Sequence, residues 1–308
     1  MINYGIAVHG GAGTIPRSDM TPAREQAYRL GLEDALTRGH AILKEGGSSL
    51  DAVEAAVRVL EDCPHFNAGK GSVFNADGQH EMDASIMEGH TLRAGAVAGV
   101  NNVRNPVGLA RLVMDKSPHV LISGMGAFEF AHQEKVLLED DQYFFDQFRY
   151  DQWMKTKGTD QYQLDHSDGE HKFGTVGAVA LDQHGHLAGA TSTGGMTNKR
   201  FQRIGDSPLI GAGTYANDST CAISCTGHGE SFIRAVAAYD VSALMEYKGL
   251  SLQEAVRVVV HDKLPLLDGD GGLIAIDRNG NIVLDFNCSG MYRGQCGSDG
   301  VVTSAIFR

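Results

Sequence analysis

The sequence lacks several features that mark particular classes of protein. No apolar run approaches the ~20 residues that a membrane-spanning helix needs. Basic residues are also scarce, because 26 Lys and Arg residues face 38 Asp and Glu residues and the formal charge is −12. Nucleic acids and anionic membranes bind to basic surfaces, so we expect neither as a partner. With only seven prolines and no low-complexity run, the composition does not favour a disordered chain.

Cysteine is scarce as well, and the five residues are scattered along the chain at Cys63, Cys221, Cys225, Cys288 and Cys296. An odd number of cysteines in a chain of 308 residues does not fit a disulfide framework. Cys221 and Cys225 lie four apart without a second cysteine pair, so we expect no zinc site there. The N-terminus also lacks the basic and apolar segments of a signal peptide. We therefore expect a reduced, cytoplasmic protein.

Glycine, in contrast, is abundant, at 39 of 308 residues. An average protein has ~7% glycine, so the excess predicts many tight turns and close approaches of the backbone. A chain of this length buries a large core, as one large domain or two small ones.

Apolar spacing and turn residues predict the elements of the N-terminal half. They are a strand at 3–9 ending in a glycine turn at 10–13, helices from about Pro22 to Glu45 and from Ser48 or Ser49 to about Leu60, a hairpin at 72–88 around a turn at 75–78, a strand at 94–100, and helices at 106–116 and 123–134. Residues 135–173 are rich in Asp, Gln, Lys and His and poorly periodic. We predict that they form an exposed, mobile linker, where chain breaks are best tolerated.

Two hairpins and two long helices are predicted after this linker. The hairpins have their turns at 183–186 and 278–281, and the helices span about 230–247 and 251–263. The strands are apolar along their length, which is typical of sheets covered on both faces. The fold class that follows is α+β, with two sheets and flanking helices drawn from both sides of the linker.

The most informative residue is Thr175, in a Gly-Thr step that opens an apolar run. A threonine hydroxyl is a poor nucleophile unless a base lies beside it. Its own α-amine, with a pKa of roughly 7.7–8.0, is such a base, but only after the chain has been cut before Thr175. Gly174 suits a cut because it has no Cβ and leaves its carbonyl open to attack. The alternative is an ordinary strand that begins with Gly-Thr.

A second threonine, Thr193, ends the strand that is antiparallel to the one after Thr175. Thr191 and Thr193 are two residues apart, so their side chains lie on the same face of the strand and Thr193 can approach the nucleophile. The alternative is a polar strand end followed by a glycine turn.

An arginine and an aspartate three residues apart, Arg203 and Asp206, follow in a glycine-containing loop. Together they complement an amino-acid zwitterion, with Arg203 binding the α-carboxylate and Asp206 the α-ammonium group. The alternative is a surface salt bridge, which contributes little.

A third polar cluster, Thr226 and Gly227, lies directly before a predicted helix. The Thr226 hydroxyl and the Gly227 N–H form a pair of donors suited to an oxyanion. The alternative is a helix N-cap with a glycine turn.

In order and spacing these clusters resemble the plant-type asparaginase and isoaspartyl peptidase family of N-terminal nucleophile hydrolases. The likeness covers nearly the whole chain apart from the linker. It implies a single domain over residues 1–308, folded as a four-layer αββα sandwich of the N-terminal nucleophile hydrolase type. It also implies that the chain cuts itself into residues 1–174 and 175–308.

The same resemblance implies roles for residues outside the clusters. His9, Gly10 and Gly11 would support the cleavage, and Asn67 and Gly229 would lie at the substrate site. A structural sodium ion would be bound by main-chain carbonyls, those of Leu60, Glu61, Cys63, Phe66, Ala68 and Lys70. The resemblance also implies that Arg203 and Asp206 form a clamp for the substrate. The sequence departs from the family at Gln202, where a glycine usually precedes the clamp arginine, Arg203.

The activity implied is that of an amidohydrolase that releases L-aspartate from β-aspartyl dipeptides and from L-asparagine, without an organic cofactor. The α-amine of Thr175 would be the base, and His228 is the competing candidate. The resemblance further implies a homodimer of cleaved chains. Three alternatives stay open: a glycosylasparaginase, a taspase-like endopeptidase, and a binding protein of the same fold that never matures.

Overall fold

The elements are taken from a computed structural model, which describes residues 3–159 and 174–308. The helices in these ranges are α1 (Pro22–Lys44), α2 (Ser49–Asp62), α3 (Pro106–Lys116), α4 (Gly124–Gln133), α5 (Asp141–Phe144), α6 (Gln147–Thr156), α7 (Gly229–Ala235), α8 (Ala237–Lys248) and α9 (Leu252–Arg257). The strands are β1 (Gly5–Gly13), β2 (Met82–Glu88), β3 (Ala94–Val100), β4 (Leu121–Ser123), β5 (Val176–Leu181), β6 (Leu187–Thr193), β7 (Thr214–Ala216), β8 (Cys221–Gly227), β9 (Gly271–Asp277), β10 (Ile282–Phe286), β11 (Gly290–Gly297) and β12 (Val302–Phe307). None of these helices is both long and apolar enough to cross a membrane.

The strands form two sheets. The larger has eight strands in the order β12-β11-β1-β5-β6-β2-β3-β4, and the smaller has four in the order β10-β9-β8-β7. Neighbours are antiparallel except β3 and β4, which are parallel. The β5–β6 hairpin lies in the middle of the larger sheet, between β1 and β2, so strands on both sides hold it in register.

Three apolar clusters separate four layers. One packs α1, α2 and α3 against the larger sheet, a second lies between the two sheets, and a third packs α8 and α9 against the smaller sheet. Side chains alternate between the two faces of β1, so Ile6 and Val8 face the helices and Ala7 faces the smaller sheet. The arrangement confirms the predicted α+β sandwich with layers in the order αββα.

Local signals explain where the first two helices begin. The Thr21 hydroxyl accepts a hydrogen bond from the Arg24 N–H at 3.3 Å, and Pro22 follows as the first helical residue. Ser48 caps α2 in the same way. The apolar face of α2 packs on β5 and β6 and therefore supports the hairpin from behind.

The glycine turn predicted at 10–13 is wrong. Strand β1 continues to Gly13, with a bulge between His9 and Gly11 in its register with β11. After this bulge, residues 11–13 pair with residues 290–292 of β11, so the segment continues as a strand.

The hairpin predicted at 72–88 is also wrong, although its turn is present. The Asn75 side chain accepts hydrogen bonds from the N–H groups of Asp77 and Gln79. No strand precedes this turn, because both edges of β2 are already paired with β3 and β6.

The exposed linker predicted at 135–173 is wrong for residues 141–156. Residues 141–156 contain α5 and α6, and two of their aromatic side chains are buried while Phe145 and Phe148 are exposed. Phe144 and Trp153 are buried, and Trp153 stacks on Phe74 with ring centroids 5.6 Å apart. Residues 160–173 of the predicted linker lie outside the described residues.

The long C-terminal helices are shorter than predicted. Val236, with a φ of 49°, separates α7 from α8, and this break lets the N–H groups of Ala238 and Tyr239 reach the carbonyls of Ala212 and Gly211. Helix α9 passes at Val258 into a π-helical segment and then into a 3₁₀ turn that ends at Leu267. The hairpins around 183–186 and 278–281 are confirmed.

Candidate active site

Thr175 lies directly before β5, in the layer between the two sheets, and is buried. Its hydroxyl donates to the Thr193 hydroxyl at 3.3 Å. The Thr193 hydroxyl in turn donates to the Gly174 carbonyl at 2.7 Å and accepts from the Gly195 N–H at 2.9 Å. One threonine therefore contacts both the hydroxyl of Thr175 and the carbonyl of the peptide before it, as the two-residue offset predicts.

Asn67 packs directly against Gly174. A Cβ added at Gly174 would overlap the side-chain amide of Asn67, so only glycine fits there. That amide is fixed at both ends: its nitrogen donates to the Gly195 carbonyl at 2.7 Å, and its oxygen accepts from the Val73 N–H at 2.9 Å. Glycine at 174 thus serves close packing at the peptide as well as access to its carbonyl.

His9 binds the other side of Thr175. Its Nδ1 lies 3.1 Å from the Thr175 carbonyl oxygen, and its Nε2 lies 2.9 Å from the Ser224 hydroxyl. Burial lowers the pKa of His9 to about 3, so the ring is neutral at physiological pH. A single ring proton on Nδ1 then donates to the carbonyl, and Nε2 accepts from Ser224.

A chain of buried hydroxyls extends from this histidine. Ser224 is 2.6 Å from the Thr191 hydroxyl, which accepts from Thr214 at 2.5 Å. The Thr214 hydroxyl accepts from Ser85 at 2.8 Å. The chain links β1, β8, β6, β7 and β2 across the layer between the sheets and fixes the orientation of the His9 ring.

The predicted glycines of β1, Gly10 and Gly11, follow His9 directly in the strand. Gly10 packs against the ring of Phe66, and Gly11 lies at the bulge of the strand. The next residue, Ala12, donates its N–H to the Thr226 hydroxyl at 3.2 Å. Strand β1 therefore contacts Thr175 through His9 and Thr226 through Ala12.

Thr226 and Gly227 are the last residues of β8, whereas a turn at a helix N-terminus was predicted for them. Gly227 pairs with Gly271 of β9, and α7 begins only at Gly229. Because Thr226 lies two residues after Ser224, both side chains share the face of β8 that looks toward β1 and β5. The two predicted oxyanion donors, the Thr226 hydroxyl and the Gly227 N–H, thus belong to a strand of the smaller sheet. The Thr226 side chain lies on the face of β8 that contacts His9.

The predicted clamp residues converge at Gly229. A Cβ at Gly229 would lie 2.8 Å from Nη2 of Arg203 and 3.0 Å from Oδ1 of Asp206, so glycine leaves space beside both. Asp206 is buried, and within the described residues its Oδ2 has no hydrogen-bond partner. Burial raises the pKa of Asp206 to about 7, although Arg203 acts in the opposite direction. A buried acceptor without a partner is suited to a ligand cation.

The ion-pair partner of Arg203 is Glu230, which the sequence reasoning missed. The guanidinium donates through Nε and Nη2 to the two carboxylate oxygens at 2.8 and 2.7 Å. Burial raises the pKa of Glu230, but hydrogen bonds from His228 and Arg203 outweigh it and hold the pKa well below its usual range. Its place in the first turn of α7, after the Gly-His-Gly sequence, is the signal that could have identified it.

His228, the competing candidate for the base, is engaged elsewhere. Its Nε2 lies 3.2 Å from Glu230, and its Nδ1 lies 3.3 Å from the Ser231 hydroxyl. The hydrogen bond with Glu230 raises the pKa of His228 in spite of partial burial. The imidazole therefore supports the clamp.

Comparison with known proteins identifies the family. The family model described as Asparaginase matches residues 2–306. The chain belongs to the asparaginase family. The predicted family is thereby confirmed; it is a family of hydrolases whose features include self-cleavage and a threonine nucleophile.

Several relatives are similar to this asparaginase-family chain over almost its whole length. An isoaspartyl peptidase of Salmonella typhimurium (strain LT2) is 52% identical, with 98% of each chain covered. An isoaspartyl peptidase of Escherichia coli (strain K12) is 53% identical, covering 98% of this chain and 96% of the relative. A probable isoaspartyl peptidase/L-asparaginase 2 of Arabidopsis thaliana is 43% identical over the full length of both chains.

The departure at Gln202 has a structural counterpart. Gln202 has a φ of 53° and Phe201 a φ of 56°, so both adopt the left-handed conformation that favours glycine. A non-glycine residue in this region costs roughly 1–2 kcal/mol. The asparaginase-family chain thus keeps the backbone conformation that a glycine before the clamp arginine would adopt, at the cost of local strain.

The main-chain carbonyls predicted to bind sodium lie at the end of α2 and in the loop after it. The Leu60 carbonyl accepts a hydrogen bond from the Cys63 N–H at 3.3 Å, and Gly69 lies directly against the Glu61 carbonyl. Gly71 lies in the same way against the Phe66 carbonyl, and Arg149 anchors the Gly71 carbonyl at 3.1 Å. The loop therefore folds back on the helix end. Within it the Phe66 and Ala68 carbonyls accept hydrogen bonds from the N–H groups of Ala68 and Gly71, and the sodium site stays a prediction.

Proposed function

We propose that the chain cuts itself between Gly174 and Thr175, and that the freed Thr175 hydrolyses β-linked aspartyl amides. The observation that carries this proposal is the arrangement around Thr193, whose hydroxyl contacts both the Thr175 hydroxyl and the Gly174 carbonyl. The relatives named isoaspartyl peptidase and L-asparaginase support β-aspartyl dipeptides and L-asparagine as substrates.

The hydrogen bonds around Thr193 give the cleavage step a defined path for the proton. As Thr175 Oγ attacks the carbonyl carbon of Gly174, its proton passes to Thr193, and Thr193 gives its own proton to the carbonyl oxygen. In the resulting tetrahedral species the C–N bond breaks while the proton of the new hydroxyl passes to the departing nitrogen, which re-forms the carbonyl, leaves Gly174 as an ester on Thr175 and frees the α-amine. Water then hydrolyses the ester and releases residues 1–174 from residues 175–308.

In the mature enzyme the α-amine of Thr175 acts as the base. It takes the proton of the Thr175 hydroxyl as the oxygen attacks the side-chain carbonyl of the substrate, and later protonates the leaving amine. The Thr226 hydroxyl and the Gly227 N–H stabilise the oxyanion, and water hydrolyses the aspartyl ester to release L-aspartate.

The clamp holds the amino-acid end of the substrate. Arg203 uses two of its five N–H groups on Glu230 and has others for the substrate α-carboxylate. Asp206 presents to the α-ammonium group a buried oxygen that has no hydrogen-bond partner among residues 3–159 and 174–308, and Gly229 leaves space beside Arg203 and Asp206. Glu230 is a positioning residue, since it fixes the plane of the guanidinium.

Further parts of the proposal concern ions and assembly. A sodium ion bound by the carbonyls of the loop after α2 would hold Asn67, and through it Gly174, in place. A homodimer of cleaved chains and a cytoplasmic location stay predictions. Light scattering on the matured protein would determine the number of chains in the assembly.

A comparison of matched substrates tests the activity. The purified, matured protein should release aspartate from a β-aspartyl dipeptide and from asparagine, and leave the α-aspartyl dipeptide of the same composition intact. Equal hydrolysis of both dipeptides would contradict the clamp geometry. A protein that stays at full length and hydrolyses neither dipeptide nor asparagine would be the non-maturing binding homologue.

A further inference from the structure

Three polar side chains converge at the end of the β5–β6 hairpin opposite to Thr175. They are His90 from the β2–β3 turn, His186 from the β5–β6 turn, and Asp218 from the β7–β8 turn. Each offers one atom that can bind a metal, and these atoms all lie within 4.8 Å of one another. The proposed catalytic chemistry uses none of the three.

The distances between the three side chains suit the coordination of one metal ion. Asp218 Oδ2 lies 2.8 Å from His186 Nδ1 and 3.6 Å from His90 Nδ1, and the two imidazole rings are 4.2 Å apart between centroids. Ligand atoms of a tetrahedral zinc ion, with bonds of about 2.0–2.1 Å, are separated by about 3.3–3.4 Å. The observed separations fall on both sides of this value, so small side-chain rotations would complete the site.

The backbone already holds the three turns together. Asp218 Oδ1 accepts from the Leu187 N–H at 2.8 Å, while the Asp218 N–H donates to the Gly89 carbonyl and the Gly89 N–H to the Leu187 carbonyl. The buried Asp182 fixes the turn of His186 by accepting its N–H at 3.0 Å. These hydrogen bonds preorganise the turns, and the hydrogen bond between His186 Nδ1 and Asp218 Oδ2, which a bound metal ion would replace, already brings two of the three ligand groups together.

We propose that His90, His186 and Asp218 bind a divalent transition-metal ion, with Zn²⁺ as the ion of choice. Two imidazoles and one carboxylate are ligands that Zn²⁺ accepts, and Ca²⁺ and Mg²⁺ favour sites built from oxygen. His90 is exposed, and His186 and Asp218 are partly exposed, so the ion has access from solvent and water completes its coordination.

The expected consequence is a cross-link between the two sheets. His90 and His186 belong to turns of the larger sheet and Asp218 to a turn of the smaller one, so a bound ion joins the sheets at the end remote from Thr175. Binding to the folded state alone raises its stability. The inference does not depend on the proposed enzymatic activity.

The test is to titrate zinc into the complete, metal-stripped protein, prepared without a histidine tag. Calorimetry follows the titration, and metal analysis after dialysis gives the bound zinc. We expect one tight Zn²⁺ per chain and a melting temperature that rises with Zn²⁺ and not with Mg²⁺ or Ca²⁺. In His90→Ala and His186→Ala the affinity should fall at least about tenfold to a hundredfold, and the thermal shift should be lost.

His184 supplies the matched control, because it is an exposed histidine of the same turn outside the cluster. His184→Ala should bind Zn²⁺ as the unchanged protein does. Co²⁺ should add an absorption band in the visible range that His90→Ala lacks. Equal affinities in all variants, or a loss confined to His184→Ala, would overturn the assignment.

Discussion

Replacing Thr193 by valine tests the proton path of self-cleavage. Valine has nearly the shape of threonine but removes the hydroxyl that donates to the Gly174 carbonyl at 2.7 Å and accepts from Thr175. Loss of one oxyanion donor costs about 10²–10³ in rate, or ~2.7–4 kcal/mol. We therefore expect Thr193→Val to lengthen the half-time of cleavage by at least about a hundredfold, measured by intact mass over time.

Two controls separate this effect from misfolding. Thr193→Ser keeps the hydroxyl and should cleave within about tenfold of the unchanged rate. Valine also leaves the Gly195 N–H without its partner, which costs roughly 1–3 kcal/mol of stability. Melting curves of Thr193→Val in an uncut Thr175→Ala background measure that loss separately. Cleavage of Thr193→Val at the unchanged rate, with the fold intact, would refute the proton path.

Three further predictions concern the clamp. Arg203→Ala should still self-cleave but lose about tenfold to a hundredfold in kcat/KM for β-aspartyl dipeptides, and unchanged kinetics would contradict its role. Glu230→Gln should raise KM by about two- to fivefold with kcat nearly unchanged, because the pair is partly exposed; a fall in kcat alone would argue against positioning. The pKa of Asp206 is raised from 3.8 to about 7 in the folded protein, so between these pH values the folded state retains a proton that the unfolded state has lost. This carboxyl therefore makes the fold less stable as the pH rises from about 4 to about 7. The melting temperature of Asp206→Asn relative to the unchanged protein, both in the uncut Thr175→Ala background, should increase over that range, and a constant difference would contradict the raised pKa.

Chemistry that is local in the sequence could be predicted from it. The Gly-Thr step and the Thr226–Gly227 pair are recognisable as neighbouring residues, and strand alternation fixes which face of β6 the Thr193 side chain takes, although Thr226 and Gly227 lie at a strand end and not at a helix N-terminus. The direction of a long side chain does not follow from spacing. Arg203 lies three residues from Asp206, yet its guanidinium pairs with Glu230, which is brought close by α7.

Other features depend on contacts between distant segments. Residues 141–156 look like a linker because their apolar residues follow no period, but Trp153 stacks on Phe74 and is buried. The cluster of His90, His186 and Asp218 arises only because two sheets place three turns side by side. Single residues at three separate turns give no pattern that a sequence reveals.

The N-terminal sequence of the smaller fragment shows whether Thr175 becomes the N-terminal nucleophile. After incubation of the purified protein, we expect two fragments, the smaller beginning with Thr175, and a single full-length band for Thr175→Ala. A fragment that begins at another residue would rule out this role for Thr175, as would a full-length chain that already hydrolyses β-aspartyl dipeptides.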